Sequence, residues 1–444
     1  MPFTTTDTIV ALSSGRLPAG VAVIRASGPH VRFVIEMISG SLPAARSAAY
    51  RGLKCSGGAL LDRGLLLFFP APQSFTGEDV VEFHVHGGRA VVAAVLGELT
   101  SVPGVRHAEP GEFTRRAFLN EKLDLTETEA LADLIDAETE AQRRFALLNA
   151  AGAQSGLYAA WRQRLVHARA MIEADIDFSD EEDVPGSVAD TVWQDVRALL
   201  GEVAGHIDGY RTAEIIRDGF DVVILGAPNS GKSSLFNALV SREAAIVTDE
   251  AGTTRDLLEV ALDLGGVRVR MTDTAGIRQE VGKVEAIGIE RALARAGTAD
   301  LVLVLQDMRT PIPFDPGPLQ TPRLFVGTKA DLVPGRGADS PDGYDLVLSS
   351  RDGTGISALL EEISRLAART IGESGDVLPF RLRHVELLRE TMKHMEDAVE
   401  GVDLPLELRG ESLRLATRSL GRIAGDVETE DLLDVIFSQF CIGK

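Results

Sequence analysis

The octet GAPNSGKS at residues 226–233 fits the pattern G-x-x-x-x-G-K-[ST], and the chemistry that spacing serves is the binding of a nucleoside triphosphate. Its glycines let backbone N–H groups turn toward phosphate, and a following helix N-terminus favours negative charge. Asn229, Ser230, Gly231, Lys232, Ser233 and Ser234 are the expected contacts. Lys232 adds a point charge, and Ser233 is placed to hold Mg2+ beside the β- and γ-phosphates. The run VVIL at 222–225 reads as a strand and SLFNAL at 234–239 as a helix, which is the context the motif needs.

Further stretches in the right order indicate which nucleotide. Asp273, Thr274, Ala275 and Gly276 follow the strand-like VRVRM at 267–271. Asp273 would reach Mg2+ through water, and the Gly276 N–H would sense the γ-phosphate. Thr328, Lys329, Ala330 and Asp331 follow the strand LFV at 324–326. Asp331 can accept two hydrogen bonds from the guanine N1–H and exocyclic amine, which adenine cannot provide, so the expected nucleotide is GTP. The usual pattern begins with Asn; Thr328 offers one hydroxyl instead of an amide, so guanine selectivity is expected with weaker bracing of the loop. Ser349, Ser350 and Arg351 resemble the loop whose backbone contacts guanine O6. Ile277 stands where Ras-like enzymes carry the water-orienting Gln, so either hydrolysis is very slow or another group orients the water.

These residues need elements to carry them. Residues 1–120 alternate short strands (around 8–10, 21–24, 65–69 and 80–84) with a helix near 90–99, which reads as a compact α+β domain. From 121 to 216 the pattern turns helical. TETE at 126–129 reads as a capping box before a stripe of Leu131, Leu134 and Ile135. A second helix aligns Leu157, Trp161, Leu165, Ala168 and Ile172, and a third Val192, Val196, Leu199, Val203, Ile207 and Tyr210. Strand–helix alternation over 217–373 fits a parallel sheet with helices on both faces. Helices return over 374–444, with Leu388, Met392, Met395 and Val399, then Leu432, Leu433, Ile436, Phe437 and Phe440. The economical topology is a nucleotide domain inserted into a helical one, in a multidomain α/β and α protein.

Composition sets limits. The 444 residues allow roughly three domains at ~100–200 residues each. No run approaches ~20 apolar residues, so no membrane span is expected. Two cysteines, Cys55 and Cys441, cannot build a disulfide framework, which suits the cytoplasm. A net charge of −21 argues against indiscriminate nucleic-acid binding. Basic clusters such as Arg143 with Arg144, or RLRH at 381–384, read first as solvated helix faces.

The stretch AIVTDEAGTTRD at 245–256, with Asn229 inside the phosphate loop, resembles the potassium-activated GTPases such as Era and the MnmE (TrmE) family. SFTGED at 74–79, PGEFTRRAFLN at 110–120 and the terminal FCIGK at 440–444 narrow the resemblance to MnmE over the whole chain. The resemblance implies that Thr248, Asp249, Glu250, Ala251, Gly252, Thr253 and Thr254 line the nucleotide. Asn229, Thr248, Glu250 (through its carbonyl) and Thr253 would hold K+ where an arginine finger otherwise acts, and Thr254 would join Ser233 on Mg2+. Glu285 matches the family's catalytic glutamate; the bland alternative is a solvated helix charge.

Arg25, Glu82 and Lys122, with Lys444, match the family's contacts to 5-formyltetrahydrofolate; without the resemblance each is a lone surface charge. Cys441 is a candidate for the modification chemistry or a small buried hydrophobe. The implied function is a homodimeric, potassium-activated GTPase. With an FAD-containing partner, MnmG (GidA), in a heterotetramer, it would modify C5 of the wobble uridine of certain tRNAs using a folate one-carbon unit. Two other readings stay open on sequence: a ribosome-assembly GTPase like Era, and a folate-dependent methyl transferase regulated by GTP.

Overall fold

The computed structural model describes residues 6–177, 187–241, 245–246, 258–273, 292–312, 314, 317–333, 343–372, 377–425, 433, 436–437, 440 and 443. The chain divides into two compact units. One comprises Met1–Ala132, Ala150–Val196 and Lys393–Lys444; the other comprises Asp133–Asn149 and Arg197–Met392.

The first unit is organised on a six-stranded sheet in the order β3-β4-β5-β2-β1-β6. Its strands are β1 (Thr8–Leu12), β2 (Ala19–Ser27), β3 (Ala49–Lys54), β4 (Leu60–Phe69), β5 (Val80–Gly87) and β6 (Val105–His107). All neighbours are antiparallel except β1 and β6. Side chains alternate between the two faces of a strand. Ala22, Ile24 and Ala26 of β2 therefore share a buried face with Val81, Phe83 and Val85 of β5. Helices Val31–Ser39 and Arg89–Thr100 close that face with Val34, Ile35, Ile38, Val92, Val95 and Leu99. The same alternation puts Arg25 and Glu82 on the opposite face.

Helices Ala153–Asp177 and Leu406–Ala424 pack along each other in this unit. The first buries Trp161, Leu165, Ala168 and Ile172, as its periodicity predicts, but Tyr158 is buried rather than Leu157. The second lacks a clear apolar stripe in its sequence. Its buried face includes Arg409, Gly410, Ser419 and Gly421, so the apolar repeat is diluted. Arg409 can be buried because its Nε donates to the Ala398 carbonyl at 2.7 Å and its guanidinium lies 3.7 Å from the Trp193 ring centroid.

The capping box sits two residues earlier than the TETE reading places it. Asp124 Oδ1 accepts from the Glu127 N–H at 2.8 Å, and Glu127 Oε2 accepts from the Asp124 N–H at 2.9 Å, so the helix begins at Leu125. The Thr126 hydroxyl bonds sideways to Asp124 and Ser155 instead. Ile135, expected in the stripe, is exposed.

The C-terminal segment returns to the N-terminal domain. Phe437 O lies where a Cβ on Gly111 would approach to 2.4 Å, and Gly111 has φ +66°, so only glycine fits this turn. Ser13 Oγ donates to the Gly443 carbonyl at 2.8 Å.

The second unit holds a seven-stranded sheet in the order β13-β12-β11-β7-β10-β9-β8. The strands are β7 (Phe220–Gly226), β8 (Ala245–Ile246), β9 (Leu258–Leu264), β10 (Val267–Asp273), β11 (Leu301–Asp307), β12 (Arg323–Thr328) and β13 (Leu346–Val347). β13, β12, β11, β7 and β10 run parallel, while β9 is antiparallel to both β10 and β8. β7 and β11 are buried nearly end to end, as interior parallel strands covered on both faces must be. Four of these strands end on a residue with polar chemistry or a tight turn: Gly226, Asp273, Asp307 and Thr328. That carboxyl edge is where open α/β sheets bind ligands.

Candidate nucleotide site

At Gly226 the chain leaves β7 with φ +150°, and a Cβ there would lie 2.4 Å from the Leu305 carbonyl of β11. Asn229 (φ 63°) and Gly231 (φ 101°) then bend the backbone twice through the left-handed region. Helix Lys232–Val240 starts at once, with Gly231 as its cap and no side-chain cap. Its leading N–H groups have no partner within the helix, which makes the turn an anion site.

Lys232 Nζ donates to the carbonyls of Gly226 and Ala227 at 2.8 and 3.0 Å, folding over the loop. Burial lowers its pKa, and the nearby Asp273 carboxylate opposes that shift. The Ser233 hydroxyl donates to Asp273 Oδ2 at 3.2 Å, and Asp273 is fully buried at the end of β10. A hydroxyl and a carboxylate oxygen at this separation are the oxygen donors that Mg2+ prefers.

The 328–331 loop braces the phosphate loop. The Thr328 hydroxyl donates to the Ser230 carbonyl at 2.6 Å, with the Gln306 carbonyl a longer alternative at 3.1 Å. One hydroxyl proton serves one carbonyl well, so the bracing is retained through a single strong contact. Lys329 Nζ donates to the Asn229 carbonyl at 2.8 Å and to Asp307 Oδ2 at 2.7 Å. Asp331 Oδ1 accepts from the Ser349 hydroxyl at 2.8 Å, which orients the carboxylate. Ala330 joins the same turn, its N–H donating to the Leu348 carbonyl at 3.2 Å. The Arg351 N–H donates to Ser349 Oγ at 3.3 Å, so Ser349, Ser350 and Arg351 form one turn around that oxygen.

The structure thus brings together Asn229, Ser230, Gly231, Lys232, Ser233, Asp273, Thr328, Lys329, Asp331 and Ser349, with Ser234 in the first turn of the helix. Thr248, Asp249, Glu250, Ala251, Gly252, Thr253, Thr254, Thr274, Ala275, Gly276 and Glu285 lie outside the described residues. Asp307 is the residue that motif reading missed. Its only sequence signal is a carboxylate closing the apolar run LVLVLQD at 301–307.

In the first unit Arg25 and Glu82 are direct cross-strand partners. Arg25 Nε and Nη2 lie 3.1 and 2.8 Å from Glu82 Oε1, and His84 Nε2 lies 3.4 Å from Glu82 Oε2. The guanidinium also stands 5.5 Å from the Phe75 ring centroid. Lys122 lies against Gly77, the tip of the SFTGED turn, where a Cβ would approach Lys122 Cε to 3.2 Å. Cys441 and Lys444 lie outside the described residues. Gly443 between them is bonded to Ser13, which follows β1, and β1 sets Ala11 opposite Arg25. Of the basic residues, Arg143 and Arg144 both clamp Glu140, and Arg381 pairs with Asp133 at 2.7 Å. Among the described residues no helix is long and apolar enough to cross a membrane.

Residues 8–122 match the family model described as the GTP-binding protein TrmE N-terminus, and residues 125–441 match that of the MnmE helical domain. The chain is 65% identical to the tRNA modification GTPase MnmE of Mesorhizobium japonicum, over 99% of each chain. It is 56% identical to the protein of that name from a Chelativorans species, covering 99% of this chain and 98% of that one. Among solved structures it is similar to the G domain of the T. maritima FeoB iron transporter, at 24% identity and TM-score 0.26, covering 33% of this chain and 98% of that one. Aquifex aeolicus Era bound to GDP and aluminium fluoride is 22% identical with TM-score 0.26, covering 39% of this chain and 66% of that one.

Proposed function

Because this chain belongs to the MnmE family of tRNA modification GTPases, we propose that it is a potassium-activated GTPase that modifies C5 of the wobble uridine of certain tRNAs. An FAD-containing partner of the MnmG type completes the enzyme in a heterotetramer, and a tetrahydrofolate supplies the one-carbon unit of the aminomethyl or carboxymethylaminomethyl group. The nucleotide-binding part of the reading is supported by the Ser233 hydroxyl 3.2 Å from Asp273 Oδ2, at the mouth of a phosphate loop braced from 328–331.

In this reading GTP lies along 226–233, with its base against Asp331. Asp331 is oriented by Ser349 to accept the guanine N1–H and amine, and Lys232 leaves the loop carbonyls for the phosphates. Ser233 and Thr254 would hold Mg2+, with Asp273 reaching it through water, and the ion would supply charge neutralisation at the phosphates. Asn229, Thr248, Glu250 and Thr253 hold K+, and Glu285 orients the attacking water in place of the Gln that Ile277 displaces.

The nucleotide domain, 217–373, is an insertion between helical segments 121–216 and 374–444. Residues 1–120 hold a cytoplasmic homodimer and, through Arg25, Glu82, Lys122 and Lys444, the folate. The pairing of Arg25 with Glu82 supports that site, since a pterin edge and a carboxylate or formyl oxygen can replace each partner for the other. Cys441 is the candidate for modification chemistry at the terminus.

The deciding experiment is nucleoside analysis of wobble uridines in tRNA from cells lacking the gene. Loss of the modified nucleoside is expected, and unchanged modification sinks the reading. GTP hydrolysis is expected to run far faster in KCl than in NaCl; equal rates remove the potassium assignment. Glu285→Ala is expected to abolish most turnover while sparing nucleotide binding.

A further inference from the structure

The carboxylate that closes β11 stands outside every motif, yet it is wired into the phosphate loop. Asp307 Oδ2 lies 2.7 Å from Lys329 Nζ and 2.8 Å from Arg309 Nη2, and Oδ1 accepts from the Arg309 backbone N–H at 3.0 Å. Lys329 passes the contact on to the Asn229 carbonyl at 2.8 Å. Asn229, Asp307, Arg309 and Lys329 line one cavity of about 260 Å3 beside the loop. Arg309 and then Lys329 hold the Asp307 carboxyl far below the usual carboxylate range, so it is charged throughout the working pH range.

We propose that Asp307 is a positioning residue for nucleotide binding: it holds the Lys329 ammonium on the Asn229 carbonyl and thereby fixes the peptide plane joining 229 to 230. A trans peptide is planar, so its C=O and N–H point opposite ways. Holding the Asn229 carbonyl toward Lys329 directs the Ser230 N–H to the Ala227 carbonyl, 3.2 Å away, and closes the turn. Thr328 does the same for the next plane through the Ser230 carbonyl, aiming the Gly231 N–H away from Thr328.

Two neighbouring carbonyls of the phosphate loop are therefore gripped by two neighbouring residues of the base-recognition loop. The grips differ in kind. Thr328 is buried and its short side chain is placed by the backbone of β12. Lys329 carries its ammonium on a flexible four-carbon stem, and a fixed counter-charge is what keeps that ammonium in place. Asp307 supplies it.

The inference rests on the assignment of 226–233 to phosphate binding. The test measures Kd for fluorescent GTP and GDP, and KM and kcat for GTP, on the full chain carrying Asp307→Asn, Lys329→Met, both together, or Arg309→Ala. Asp307→Asn is expected to weaken both nucleotides about tenfold and raise KM by the same factor with kcat retained. In the Lys329→Met background the same change is expected to add nothing, and Arg309→Ala alone to stay within about twofold of wild type. Wild-type affinity for Asp307→Asn, additive losses in the double variant, or an equal loss from Arg309→Ala each overturn the proposal. Asp307→Glu keeps the charge but moves it by one methylene; its smaller loss, about threefold, is expected to vanish likewise with Lys329→Met, and a loss that persists there overturns the proposal if Asp307→Asn fails to fold. Failure of the wild-type chain itself to bind GTP sinks the phosphate-loop assignment instead.

Discussion

The phosphate loop of one unit is shaped by captured backbone, whereas the Arg25 and Glu82 pair of the other is shaped by sheet register. In the loop, Lys232, Thr328 and Lys329 each donate to main-chain carbonyls, those of Gly226, Ala227, Ser230 and Asn229, and Lys329 donates to the Asp307 carboxylate as well. That arrangement fixes the peptide planes of the loop before any ligand arrives. On the sheet, two charged side chains 57 positions apart meet because β2 and β5 pair with Arg25 opposite Glu82. They satisfy each other, so a ligand there must exchange one charge-assisted contact for another. A preorganised backbone cradle suits a polyanion bound during turnover. A swappable ion pair suits a ligand with both donor and acceptor edges.

Breaking one site should leave the other intact, and the sizes of the losses should follow this difference. Lys232→Ala removes the mobile charge of the cradle and is expected to cut GTP hydrolysis by about a thousandfold or more, while tetrahydrofolate binding measured by calorimetry stays unchanged. Asp331→Ala deletes a carboxylate pre-oriented by Ser349 and is expected to weaken GTP about a hundredfold and level the preference for GTP over ATP in competition binding. Arg25→Ala strips one half of the register-built pair; tetrahydrofolate affinity is expected to fall about thirtyfold with GTP hydrolysis at the wild-type rate. Thr328→Val keeps the shape of the side chain and loses only its hydroxyl bond to Ser230, so nucleotide affinity should drop about fivefold, read by equilibrium binding. A folate defect from Lys232→Ala, or a hydrolysis defect from Arg25→Ala, would erase the distinction between the sites.

The Thr328 position shows how much of the brace survives without the usual amide. Replacement of the usual Asn predicts weaker bracing of the loop. The structure keeps one short bond from Thr328 to the Ser230 carbonyl and adds the Lys329 contact to Asn229 beside it. Arg143 with Arg144 and Arg381 are engaged with Glu140 and Asp133, so the acidic net charge is not relieved at these points.

The sequence by itself determined the phosphate loop, the Asp273 and Asp331 positions, the strand–helix alternation around them and the family. It could do so because each is a local arrangement: a turn needs glycines at fixed offsets, and a loop's chemistry is carried by contiguous residues. Tertiary structure alone decided the rest. The helix Leu406–Ala424 buries Gly410, Ser419 and Arg409, whose burial depends on the helix and ring they meet and not on their own polarity. The capping role fell to Asp124 over Thr126, whose hydroxyl is taken by Asp124 and by Ser155 of another helix. Asp307 reads in sequence as one charge at the end of a strand. Only the parallel pairing of β11 with β12, which sets Asp307 opposite Thr328, brings its carboxylate to Lys329 and so to the phosphate loop. Contacts across a sheet are fixed by register, and register is a property of the packed chain.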